Sequence, residues 1–393
     1  MNSALTEVQS SPAPTESTLF RSVADVQDWT HVHDGDLADF MVAAVEQGDL
    51  ELAASMLRRR HDLPCAVRFS LSPDVGASRV LWEVNLPEEM HFVFSSGIAS
   101  PGAAKMTILN LVWISPIFVS YAQSSQAESG AVLVNLFDVG LSPGLSFCDN
   151  REGHFLIPDS LFVSQMGYHE IRKRYAEHYT PWEQRKPLAL WRGSTTGQPA
   201  DDKTGWRSLP RISLCVVTSS RSDLFDVGLS EVVQIPDDQA ISEIREREFL
   251  RDFIPASQFI DYKYQIDIDG NTNSWPGLFF KLLTGSPVLK VASPHGYRQW
   301  YYSKLMPWFN FVPIATDLSD LEEKVRWLKA HDELARQIGE KGRSLALSIG
   351  FEQALIDAVP VIAAAMRAAA YASAAAALHT DTQLSGAAGS AET

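Results

Sequence analysis

Between the strand-like segment Tyr264 to Ile268 and the apolar stretch beginning Trp275-Pro276-Gly277 lies the polar run Asp269-Gly270-Asn271-Thr272-Asn273-Ser274. Ser274 stands where a helix would begin, and the free N–H groups of a helix start, with its dipole, favour an anion. Small side chains rich in donors suit a pyrophosphate or a sugar edge. The same run also reads as an Asn/Ser-rich turn that only caps a helix. A second run, Arg192-Gly193-Ser194-Thr195-Thr196-Gly197, follows the apolar Leu188 to Trp191. It reads as a polar loop whose guanidinium, hydroxyls and flexible backbone fit phosphate contact, or as an ordinary turn. Arg211, on the helix expected next, would reach the same ligand or sit in a surface salt bridge. Asp267 and Asp269 share one face of a strand, the spacing of an Asp-X-Asp metal motif, and Mg²⁺ and Mn²⁺ favour carboxylates. Acidic triplets are common, however, and Asp34-Gly35-Asp36 is another. Asp138 ends the nearly all-apolar run Val132 to Phe137, where a side chain can leave a sheet edge for a cleft.

The scaffold that must position these residues alternates strands and helices from Leu188 onward. Leu188 to Trp191, Tyr264 to Ile268 and Pro287 to Val291 read as strands. Arg211 to Thr218 and Trp275 to Leu283 read as helices, with Pro276 tolerated in the first turn of the second. Ser319 and Glu322 form a capping box ahead of Leu321, Val325 and Leu328. This alternation predicts an α/β fold with parallel, doubly wound sheets. Upstream, Leu37, Phe40, Met41, Ala44 and Val45 recur at helical spacing, and Leu52 to Arg60 reads as a second helix. The apolar runs Val80 to Val84, His91 to Phe94, Ile108 to Ile114 and Val132 to Phe137 are β-rich signals with some helix between them. Tyr168 to Tyr179 reads as a charged surface helix stopped by Pro181. The expected organisation is a disordered lead over 1–18, an N-terminal domain over 19–185 and a C-terminal domain over 186–350. An alanine-rich helix over 351–378 and a tail over 379–393 complete it.

Acidic residues outnumber basic ones 48 to 33 among 393, a net charge of −15. That excludes a sequence-independent nucleic-acid binder, which needs a basic footprint, while leaving room for a local basic pocket. Cys65, Cys148 and Cys215 are too few and too far apart for a disulfide framework or a closed zinc site. Met1 to Ser17 has neither the basic start nor the apolar core of a signal peptide. The nearest approach to a membrane helix, Leu355 to Ala377, is interrupted by Asp357, Pro360 and Arg367. These features predict a soluble protein in a reducing, cytoplasmic setting.

The element Trp191-Arg192-Gly193-Ser194-Thr195-Thr196-Gly197 resembles the Arg-Gly-Ser element of glycosyltransferase family 90, the CAP10-like family. That family includes protein O-glucosyltransferases, fungal capsule xylosyltransferases and bacterial lipopolysaccharide-modifying enzymes. Further blocks in the same order resemble it: Tyr262 to Gly270, Ser274-Trp275, Leu282 to Ser286, Val288-Leu289-Lys290, Leu305 to Ile314 and Asp317 to Leu321. The resemblance covers about 160 residues. It implies a GT-B fold, two Rossmann-like halves facing across a cleft, and an inverting, metal-independent transfer with no cofactor beyond the donor. The donor would be a UDP-sugar, of glucose or xylose, and the acceptor a bacterial saccharide or glycolipid at the inner face of the membrane, reached by at most peripheral association. By position in the family, Asp138 would be the general base. Ser194, Arg211 and Asn271 to Trp275 would contact the donor, with Gly193, Asp269 and Gly270 beside them. The glucosyltransferases carry an arginine after the aromatic, which meets the diphosphate. Here Pro276-Gly277 follow instead, which leaves phosphate contact to the helix start, Arg211, Arg192 or Lys290. Downstream, Asp149 and Asp159 are the alternative bases.

Overall fold

The computed structural model describes residues 32–47, 49–61, 67–72, 79–86, 90–96, 101–136, 138, 142–199, 205–235 and 237–388. The expected lead over 1–18 and the last five residues of the expected tail lie outside them. Two α/β halves each carry a sheet.

The N-terminal half opens with α1 (Asp34–Glu46) and α2 (Leu50–His61), followed by β1 (Val67–Ser72), β2 (Arg79–Leu86), β3 (Met90–Ser96), α3 (Pro101–Ala122) and β4 (Gly130–Asn135). Then come the short strands β5 (Gly144–Ser146), β6 (Cys148–Asp149) and β7 (His154–Leu156), and the helices α4 (Ser160–Ser164) and α5 (His169–Glu177). Its sheet runs β1-β2-β3-β4-β5-β7, antiparallel through β3 and parallel from there on. The antiparallel strands depart from the Rossmann-like pattern expected of this half. Ile108 to Ile114, read from sequence as a β signal, lies in α3. Leu111, Ile114, Ile117, Phe118 and Tyr121 are all buried there, and a helix apolar on most sides shows no period to separate it from a buried strand.

In the C-terminal half, β8 (Lys186–Ser194), α6 (Pro210–Thr218), β9 (Phe225–Glu231), α7 (Asp238–Glu246), β10 (Tyr262–Asp267), α8 (Trp275–Leu283), β11 (Val288–Val291), β12 (Arg298–Gln299) and β13 (Val312–Ile314) follow one another. The main sheet is parallel, in the order β13-β11-β10-β8-β9. From β8 the chain steps outward to β9, returns to β10, and then proceeds the other way through β11 to β13. The adjacent carboxyl ends of β8 and β10 therefore flank a topological switch point, where open α/β sheets hold ligands. β8 continues through Ser194, so Arg192 to Ser194 are strand and not loop as expected; pairing with β9 holds them in register.

Helices α9 (Leu321–Ala330), α10 (Asp332–Ser348) and α11 (Phe351–Ala388) close the chain. The expected capping box does not form. Asp320 holds the N-cap position of α9, and the Ser319 hydroxyl turns to Asp317 at 2.7 Å. α11 continues past the expected end at 378. Phe351–Ser373 also has the length and apolarity of a membrane span, contrary to the sequence reading. Ala358, Val359, Ile362 and Met366 of this helix join the core of the N-terminal half with Ile114 and Val134, so the last helix crosses back over the first half.

The halves meet around β6 and β12, which pair with each other. Phe147 packs edge-on against Trp275 with ring centres 5.1 Å apart, and the Cys148 thiol donates to the Asn273 side-chain carbonyl at 3.3 Å.

Candidate active site

A cavity of about 320 Å³ opens at the switch point, lined by Trp191, Gly193 and Ser194 of β8, Arg211 of α6, Ser274 at the cap of α8, and Gly277 and Lys281 within α8. Phe253, Phe259 and Phe280 give it an apolar wall. Arg211 lies in the second position of α6, whose start is set by Pro210. Its Nε donates to the Asp269 carbonyl at 3.0 Å, and its Nη1 to the Ser194 carbonyl at 3.2 Å and the Thr196 hydroxyl at 2.6 Å. One guanidinium thus ties the ends of β8 and β10 together beside the cavity. Burial lowers its pKa to about 10, opposed by the carboxylates of Asp267, Asp269 and Asp138, so it stays charged at neutral pH. Gly270 makes this approach feasible: a Cβ there would lie 2.7 Å from the Thr196 hydroxyl and 2.8 Å from Arg211 Nη2.

Asp138 is half-buried, and its Oδ2 accepts a hydrogen bond from Asn271 Nδ2 at 3.2 Å. A carboxylate from the end of the β4 segment thereby reaches the loop that follows β10 in the other half. The rest of that loop is structural. Thr272 and Asn273 are buried, Asn273 Nδ2 donates to Asp269 Oδ1 at 2.8 Å, and the other Asp269 oxygen is buried with no protein partner. Ser274 caps α8 by position, although its hydroxyl makes no cap bond. Trp275 packs against Phe147 and does not line the cavity.

Two expected phosphate contacts have other partners. Arg192 lines the cavity, yet its guanidinium pairs with Asp226 at 2.5 Å and donates to the Asp226 carbonyl at 2.8 Å. Lys290 lies outside the cavity lining, with its ammonium 3.3 Å from Asp267 and over the Tyr302 ring at 4.7 Å. Asp267, half of the Asp-X-Asp pattern, is fully buried and shared between Lys290 and Lys281, the latter at 2.9 Å. Burial would raise its carboxyl pKa, but the two lysines hold it below the usual range. Lys281 was missed by the sequence reading. Its signal was available: it falls three and four residues after Leu278 and Gly277 on the face of α8 that carries Ser274. Among the described residues no group of three or more His, Cys, Asp and Glu side chains converges on a common point.

The alternative bases face elsewhere. Asp149 is buried and engaged by Arg151 at 2.6 Å and His154 at 3.2 Å. Asp159 caps α4 by accepting the Phe162 N–H at 2.9 Å, with the Tyr168 hydroxyl at 3.2 Å. Neither lines the cavity.

Residues 163–348, which hold β8 to β13 and the whole cavity lining, match the sequence profile described as Glycosyl transferase family 90. Protein O-glucosyltransferase 3 of Rattus norvegicus is 32% identical over 136 residues, 35% of this chain and 25% of the relative. Protein O-glucosyltransferase 2 of Danio rerio is 28% identical over 212 residues, 52% of this chain and 39% of the relative. The chain thus spans well under half the length of these curated relatives. Among solved structures, TarM aligns with a TM-score of 0.36 at 11% identity, covering 75% of this chain and 63% of that one. The segment that builds the cavity is thus the part of the chain that is similar to glycosyltransferase family 90.

Proposed function

We propose that the protein is an inverting glycosyltransferase that moves a sugar, glucose or xylose, from a UDP-sugar to a hydroxyl of a bacterial saccharide or glycolipid. One observation carries this reading: the Asp138–Asn271 hydrogen bond of 3.2 Å sets a carboxylate beside the loop of an arginine-bearing cavity. Inversion at an anomeric carbon needs a base on the acceptor side and stabilisation of the departing diphosphate on the other. Asp138 accepts the proton of the attacking hydroxyl. Arg211, with the start of α8, meets the charge that develops on the leaving diphosphate. The relatives named protein O-glucosyltransferase support glucose as the donor sugar. With Asp267 already matched by two lysines, the reaction proceeds without a divalent cation in this reading. Incubation with UDP-glucose or UDP-xylose in EDTA, with UDP release as the readout, tests it. The expected result is turnover unaffected by EDTA and stimulated by a saccharide acceptor. Turnover that requires Mn²⁺ and disappears in Asp267→Asn would replace it with a metal-dependent transfer, and no turnover of any nucleotide sugar would leave a binding protein.

A further inference from the structure

We infer that Lys281, approached from the cavity past Gly277, is a second cation that meets the donor's diphosphate beside Arg211. The inference rests on the proposed reading of the cavity as a nucleotide-sugar site, and it is drawn from the shape and charge of one face of α8.

Ser274, Gly277 and Lys281 follow one another along that face, and all three line the cavity. Gly277 is what leaves the ammonium within reach. A Cβ at this position would lie 3.7 Å from Lys281 Nζ and 2.2 Å from the Ser274 hydroxyl, so a larger residue would fill the approach. Pro276 has no N–H, so the start of α8 offers one donor fewer to an anion than an ordinary helix. A nearby cation supplies what the backbone lacks.

The charge count around Lys281 is uneven. Lys281 and Lys290 share the single carboxylate of Asp267, at 2.9 and 3.3 Å. Arg211 lies close by, but it is faced by Asp269 and Asp138 as well as by Asp267. Two ammonium groups against the one carboxylate beside them leave the Lys281–Lys290 pair short of an anion. Buried charge is costly unless matched, and a diphosphate in the cavity would match it. Burial itself pushes the Lys281 ammonium towards deprotonation, opposed by Asp267. Arg192 differs, since its guanidinium is matched one to one by Asp226. Lysine, a compact point charge, suits phosphate without needing bidentate geometry.

Calorimetric titration of UDP and of uridine into the full chain tests this. Lys281→Met is expected to lower UDP affinity about 10- to 100-fold, the range for a lost charge-assisted contact, and to leave uridine affinity unchanged. Lys281→Arg should retain most of the UDP affinity. If Lys281→Met does not fold, the double variant Lys281→Met/Asp267→Asn removes one buried charge of each sign, and the same selective loss is expected. UDP binding to either folded variant as tightly as to the unaltered protein would overturn the inference. An unaltered protein that binds neither UDP nor uridine would overturn the reading of the cavity as well.

Discussion

The two halves treat buried carboxylates in opposite ways. Asp159, where the N-terminal half packs towards α8, is enclosed without a cation: it holds the N–H of Phe162 and the hydroxyl of Tyr168, and burial raises its carboxyl pKa to about 6. Asp267 in the C-terminal half is just as deeply buried but lies between two ammonium groups, which keep its pKa below the usual carboxylate range. Burial therefore does not decide the state of a carboxylate; the neighbouring charge does. In a chain of net charge −15, the C-terminal half sets Arg192, Arg211 and Lys281 around the cavity at the switch point. The N-terminal half brings a carboxylate, Asp138, to the same place. In the proposed reaction that division gives one side the leaving group and the other the attacking hydroxyl.

The contrast can be broken at several points, beginning with the most costly. Asp267→Ala strips both lysines of their counter-ion and should destabilise the fold by about 3–5 kcal/mol in denaturant unfolding. A loss below about 1 kcal/mol would show that the lysines find other partners. At Asp159 the native state holds a proton more tightly than the unfolded chain, whose aspartates titrate near pH 4. Stability from this group is therefore present below about pH 4 and lost as pH rises through about 6, on the order of 2–3 kcal/mol in all. Asp159→Asn should flatten that part of the pH–stability profile, and an unchanged slope would place the titration elsewhere. Arg211→Ala removes a charged donor beside the cavity and should weaken UDP binding by about 1.5–3 kcal/mol. Ser194→Ala should cost about 1 kcal/mol or less in the same titration. Equal losses in the two variants would mean that Arg211 only braces β8 and β10.

The C-terminal half was the more legible. Trp275–Leu283 appears as a helix with the bounds read from sequence, because Ser274, Pro276 and Gly285 punctuate it and its apolar residues keep a helical period. Arg211 and Ser194 do line one cavity, which the Asn271 loop reaches through Ser274, and a short strand-to-helix segment carries that information locally. What the sequence concealed depends on partners far along the chain. Ile108 to Ile114 looks alike as strand or helix because both would be buried. Arg192 and Lys290 look free until the fold brings Asp226 and Asp267 to them. Lys281 was overlooked since an ammonium inside an apolar helix face draws no notice until Asp267 is found opposite. Ser319 and Glu322 had the right spacing for a cap, but Asp317 competes for the hydroxyl.

The central claim, a base on one half and the donor site on the other, is tested most directly by measuring kcat and UDP affinity on the same preparation of Asp138→Asn. The amide keeps the shape and the contact with Asn271 but cannot take the acceptor's proton. The account predicts a loss of about 10²–10⁴-fold in kcat with UDP affinity within twofold of the unaltered protein. Near-normal transfer would contradict it by removing Asp138 as the base. A parallel collapse of UDP affinity in a folded variant would equally contradict it, since the two halves would then not divide the chemistry.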